Sequence, residues 1–111
     1  MAKKPETLIR EQFDEQIKEM SGLWAESIQQ ISIRGTPDKI LCVRGFFAGV
    51  ELKTEDGELH PLQEYKLKAI KRAGGMAFVL RPSNLTAVVS ALRRVAQGAH
   101  PNTTRRDQWG E

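Results

Sequence analysis

The chain has 111 residues, enough for one compact domain and too few for two. No apolar run is long enough to span a bilayer, the first residues lack the apolar stretch of a signal peptide, and a single cysteine, Cys42, excludes an internal disulfide, so a reducing, cytoplasmic setting is expected. The net charge of +3 hides an asymmetry: residues 1–64 carry 8 Lys/Arg and 12 Asp/Glu, residues 65–111 carry 9 and 2, and no acidic residue falls between Glu64 and Asp107. A basic half of this kind fits a polyanionic partner, because cations that neutralise phosphates release counterions. It equally fits a solvated basic face.

From Glu6 to about Met20, Ile9, Phe13, Ile17 and Met20 recur at three- and four-residue steps, which predicts an amphipathic helix. Residues 26–34, with Ile28, Ile31 and Ile33, read as a strand. Asp38 to Val43 and Phe46 to Lys53 read as two more, joined at Arg44 and Gly45. A polar loop leads to His60 and Pro61, where proline in the first turn signals a helix. Its expected apolar face is Leu62, Tyr65, Ala69, Ile70 and Ala73, and Gly74 and Gly75 end it. Met76 to Leu80 reads as a short buried strand. Ser83 or Asn84 caps a last helix that turns Leu85, Val88, Val89, Leu92 and Val95 inward. The domain is expected to span residues 1–97, with 98–111 a polar tail. The order α-β-β-β-α-β-α predicts an α/β fold with a mixed β-sheet flanked by helices.

The turn at Arg44 and Gly45 carries the chemical argument. If it is a two-residue hairpin loop, Val43 faces Phe46 and paired residue numbers sum to 89. Asp38 then lies opposite Glu51, and Lys53, two residues on, points to the same face. A three-residue loop would shift the pairing by one and separate them. Two carboxylates this close repel unless a cation lies between them. Oxygen donors suit magnesium or manganese, and a lysine beside them can orient a water and offset developing negative charge. That set matches metal-assisted phosphodiester hydrolysis; a cross-strand salt-bridge cluster would use the same residue types.

Taken together, Gly35-Thr36-Pro37-Asp38, the hairpin, Val50-Glu51-Leu52-Lys53, the loop holding Gly57 and the run Leu59-His60-Pro61-Leu62-Gln63 resemble the PD-(D/E)xK nucleases. They are most similar to the VRR-NUC group, with its G-x-P-D, E-x-K and downstream glutamine. The resemblance runs from about Glu6 to Ala96. It implies a restriction endonuclease-like core and hydrolysis of DNA supported by Mg2+ or Mn2+. It also implies metal ligation by Asp38, Glu51 and the Leu52 carbonyl, with Lys53 placing the water and Gln63 lining the site. The group has a glutamate on its first helix as well. Of Glu6, Glu11 and Glu15, only Glu6 falls on the apolar face, so it is taken as a further metal ligand, although a first-turn glutamate also complements the helix dipole. For Gln63 the other reading is capping, since His60 and Gln63 are spaced as N-cap and N3.

Arg34 and Lys39 flank Asp38, and Lys66, Lys68 and Arg72 lie on the second helix; these five are the candidate DNA contacts. His60 and His100 have no partners at zinc-type spacing, and Trp24 and Trp109 serve packing more readily than base stacking. The resemblance implies a DNA endonuclease of a bacterial or phage-infected cell, acting on branched, flap or Holliday junction DNA and paired as a homodimer. The alternatives are a restriction or defence nuclease on the same fold and a catalytically silent DNA-binding module.

Overall fold

In the computed structural model the described residues are 4–28 and 35–101. Pro5 opens helix α1 (Pro5–Ile17), where its fixed φ and missing N–H cost nothing. Ile9, Phe13 and Ile17 are its buried stripe, as the periodicity predicts. Strand β1 (Leu23–Ser27) begins three residues before the expected Glu26, so Leu23, Trp24 and Ala25 belong to it. Most of the span expected as strand, residues 29–34, lies outside the described residues. Strands β2 (Lys39–Val43) and β3 (Phe46–Leu52) follow, then α2 (Pro61–Arg72), β4 (Met76–Leu80) and α3 (Leu85–Ala96).

The sheet has the order β1-β2-β3-β4, with β1, β2 and β3 antiparallel and β4 parallel to β3. Helix α2 makes the crossover between the two parallel strands. Arg44 and Gly45 both have positive φ, 51° and 89°, the backbone of a two-residue primed turn. Val43 accordingly pairs with Phe46 and Lys39 with Val50. The hairpin register has the pairing sum that the turn requires.

Strand alternation divides the side chains into two layers. Leu41, Val43, Ala48, Val50, Leu52, Met76, Phe78 and Leu80 face one side and pack against α1 and α3. Val88, Val89, Leu92 and Val95 of α3 are buried there, matching the expected stripe, with Leu85 partly buried. Phe13 and Phe78 are fully buried in this layer, and truncating either to alanine should cost about 3–5 kcal/mol. The other layer is thin: Leu67, Ala77 and Val79, with Leu59 and Ile70 beside them.

Helix α2 lies over this second face, but not by the face expected of it. Leu67 is its buried residue, whereas Leu62 and Tyr65 are 41% and 62% exposed. At 100° per residue, Gln63, Leu67 and Ile70 form the inward stripe, so the helix is rotated by roughly 100° from the expected orientation. The reason is the partner beneath it. Glu51 projects from β3 on this side, and the helix turns its one amide, Gln63, toward it.

One smaller expectation is also corrected. Asn84 stands at the N-cap position of α3, yet its side chain accepts from Arg81 N (2.7 Å) and donates to the Val79 carbonyl (2.7 Å) instead of capping that helix. The segment after Gln97 does not leave the domain at once. His100 meets the Phe46 ring edge-on at 5.2 Å between centroids, and Pro101 is buried. Trp109, Arg105 and Arg106 lie outside the described residues.

Candidate active site

The carboxylates come together where the β2–β3 ladder runs out. The last paired rung is Lys39 with Val50, and Asp38 is one residue beyond it. Its carbonyl accepts from Ile28 N (2.9 Å), and its Oδ2 accepts from Leu52 N (2.8 Å). A side-chain oxygen therefore stands in for the next backbone acceptor, which turns the Asp38 carboxylate to the end of β3. Gly35 brings this segment close to α2. It has φ +84°, and a Cβ there would stand 2.7 Å from the Leu62 carbonyl oxygen.

Glu51 is 4% exposed, one of two charged residues buried among those described. Its Oε1 accepts from Gln63 Nε2 (3.1 Å), and its Oε2 has no hydrogen-bond partner. Burial pushes its pKa up to about 9, and the neighbouring Asp38 carboxyl adds to this because the two can bond only if one keeps a proton. The positive charge of Lys53 works in the opposite direction, and the charge of Glu6 adds a smaller upward push. A buried carboxylate with an orphan oxygen, next to a second carboxylate, requires either a proton or a cation. The donor set, all oxygen, suits a hard divalent ion.

Lys53 follows the end of β3 on the Glu51 face, and its N–H donates to the Leu80 carbonyl (2.9 Å), extending the pairing with β4 by one bond. Gln63 does both jobs that its spacing allowed. Its Oε1 accepts from His60 N (2.8 Å) while its Nε2 reaches Glu51. The capping bond consumes the amide oxygen and so leaves the NH2 group to face the carboxylate. His60 completes the reciprocal cap, with Nδ1 accepting from Leu62 N (3.2 Å).

The other expected residues are placed less uniformly. Glu6 is exposed in the first turn of α1, near enough for its charge to bear on Glu51. Among the described residues, however, no three His, Cys, Asp or Glu side chains converge as a metal-holding group. Lys39 is not displayed toward a ligand: it is buried, paired with Asp14 (2.9 Å) and bonded to Ser27 Oγ (2.7 Å). It ties α1 to the edge of the sheet. Lys66 is on the flank of α2 nearest Gln63. Lys68 lies on the outward side, paired with Glu64 (3.0 Å), and Arg72 lies over the Tyr65 ring at 5.9 Å. Arg34 lies outside the described residues. Sequence reasoning missed the bonds of Arg81, which leave β4 for the loop after Lys53; a lone arginine in a basic stretch carries no signal of this.

No family model matches the sequence, and no curated protein matches it. Among solved structures, one described as a "VRR_NUC domain" superposes with a TM-score of 0.69 at 19% identity, covering 79% of this chain and 97% of that one. Among the described residues no helix is long and apolar enough to cross a membrane. A mixed sheet with α1 and α3 on one face and α2 on the other is thus the fold of that VRR_NUC domain structure, compatible with a restriction endonuclease-like core.

Proposed function

We propose that the chain is a metal-dependent DNA endonuclease that hydrolyses phosphodiester bonds. The observation that carries this reading is the buried Glu51 carboxylate, one oxygen unpartnered, set beside Asp38 and Lys53. Its likeness in fold to a VRR_NUC domain supports it. Asp38, Glu51 and the Leu52 carbonyl would hold Mg2+ or Mn2+, and Glu6 would reach it through water. When bound, such an ion polarises a phosphoryl oxygen and acidifies a water. Two protein carboxylates suffice for an ion that keeps several waters and accepts substrate phosphate as a further ligand.

The remaining work falls to the chain itself. Gln63 fixes the rotamer of Glu51 so that its free oxygen stays turned to Asp38. Lys53 orients the attacking water and offsets the negative charge that grows on the phosphoryl oxygens. Lys66, on the flank nearest Gln63, holds a neighbouring phosphate; Lys68 and Arg72 belong to a wider basic surface, and Arg34 remains a DNA contact proposed from the sequence. A domain this small reads backbone and shape before bases, which favours branched, flap or junction substrates. Leu62 and Tyr65 are exposed beside a shallow groove of about 350 Å³ lined by Phe47, Ala69, Ile70, Ala73 and Gly75. This apolar stripe supports a homodimer, which would set two sites on one branched DNA. The reading places the work in the cytoplasm of a bacterial or phage-infected cell.

Incubation with plasmid and with a panel of duplex, flap, splayed and four-way DNA tests it. Cleavage that requires Mg2+ or Mn2+ and is lost in Glu51→Ala supports the proposal; cleavage that persists in excess chelator refutes it. A silent DNA-binding module, favoured by the lack of a third converging ligand among the described residues, would bind the same panel and cut nothing.

A further inference from the structure

The loop after Lys53 is held by a residue outside the site. Arg81 directly follows Leu80, the last residue of β4, whose carbonyl accepts from Lys53 N. Arg81 Nη1 donates to the carbonyls of Thr54 (2.7 Å) and Gly57 (2.6 Å), with the Glu55 carbonyl at 3.3 Å. A second tie runs beside it. The Glu55 carboxylate accepts from Ser83 N (3.0 Å) and Ser83 Oγ (2.6 Å). The turn is therefore wound round one guanidinium and pinned again two residues further along the chain. Arg81 is itself anchored through its own N–H on Asn84.

Gly57 connects this clamp to the site. A Cβ added there would stand 3.5 Å from Lys53 Cδ and 2.9 Å from Thr54 Oγ1. Gly57 thus lies beside the aliphatic stem of Lys53, with space between them for no more than a methyl group, and the guanidinium that fixes Gly57 fixes that side of the stem. A lysine stem left free loses rotamer entropy when its ammonium is put to use. Confining it beforehand transfers that cost to folding.

We propose that Arg81 is a positioning residue for Lys53: by gathering the Thr54 and Gly57 carbonyls it holds the loop against the lysine stem and sets where the ammonium stands beside Glu51. The proposal rests on the reading of Asp38, Glu51 and Lys53 as a cleavage site. The order of the lysine side chain, though, is a property of the free protein and is tested separately. Arg81→Lys keeps the charge and loses the planar fork that serves several carbonyls at once.

The experiment is NMR of the protein with 13C-dimethylated lysines, the Lys53 signal being assigned through Lys53→Arg, alongside steady-state cleavage. In Arg81→Lys the Lys53 signal should narrow and move to the position of exposed lysines such as Lys18, while signals from the core methyls of α3 stay in place. Cleavage should lose about tenfold or more in kcat with KM for DNA little changed, the mark of a misplaced group rather than a lost binding contact. Added guanidinium should partly restore Arg81→Ala. An unmoved Lys53 signal in Arg81→Lys overturns the proposal, whatever the activity. If the wild type cuts no DNA, the nuclease reading fails and the NMR result still decides this one. Should Arg81→Lys not fold, Gly57→Ala, which keeps Arg81 but crowds Thr54 Oγ1 and so displaces the loop that Arg81 gathers, must shift the same signal; no shift there also overturns it.

Discussion

Glu51→Gln separates the two ways in which a buried carboxylate can be satisfied. In the metal-free protein the native state holds a proton on Glu51 up to about pH 9, whereas the unfolded chain releases it near 4.5. Between those values the native state binds the extra proton, so stability must fall as pH rises. The limiting slope for one proton is about 1.4 kcal/mol per pH unit. Allowing for relaxation and water entry, wild type should lose about 1–3 kcal/mol between pH 6 and 8 that Glu51→Gln keeps, since a glutamine has no proton to lose. In a domain of this size that is a divergence in Tm of about 4 °C or more. A saturating divalent ion should reverse the order. At a hundred times Kd it stabilises the native state by about 2.7 kcal/mol, and only the carboxylate can hold it. The assay is urea or thermal unfolding of both proteins at several pH values, in chelator and in Mg2+ or Mn2+. Parallel pH curves in chelator would refute the account of Glu51, and equal stabilisation of both proteins by the ion would refute its role as a ligand.

Four shorter predictions follow from the same geometry. Gln63→Ala should cost about 1 kcal/mol of stability by removing half of the capping box, and should lower kcat as well because Glu51 loses its donor; unchanged kcat would leave Gln63 as a cap alone. Lys66→Gln should weaken DNA binding and flatten its salt dependence by about 0.9 in the log–log slope, whereas Lys68→Gln should change little because that ammonium is already paired; the reverse ranking in a salt titration would remove Lys66 from the interface. Lys39→Met should alter unfolding stability while leaving DNA affinity within roughly twofold, as expected of a buried tether between α1 and the sheet. Sedimentation should show the proposed homodimer, and Tyr65→Glu should convert it to a monomer, since it places a charge in the exposed apolar stripe of α2; a wild-type monomer would refute the pairing.

The hairpin is the part of the molecule where local rules sufficed. A two-residue turn with positive φ at both positions permits one register, and that register by itself brings Asp38 to Glu51 and puts Lys53 on the same face. Helices α1 and α3 were legible for a related reason: each has a single apolar stripe, so only one of its faces can be buried. Helix α2 has two candidate faces, and periodicity chose the wrong one. Leu62 and Tyr65 are more apolar than Gln63 and Lys66, but the sheet offered α2 a carboxylate as well as a thin apolar layer, and no pattern within the helix records what lies opposite it. The same limit applies to Lys39 and Arg81. Both read as ordinary surface cations, because their partners are 12 to 27 residues away in sequence and only the packing of α1 and of the loop after Lys53 brings them near. Side-chain direction follows from strand and turn geometry, which neighbours in sequence determine. Which polar groups meet follows from how the layers stack, and that is decided by the whole chain.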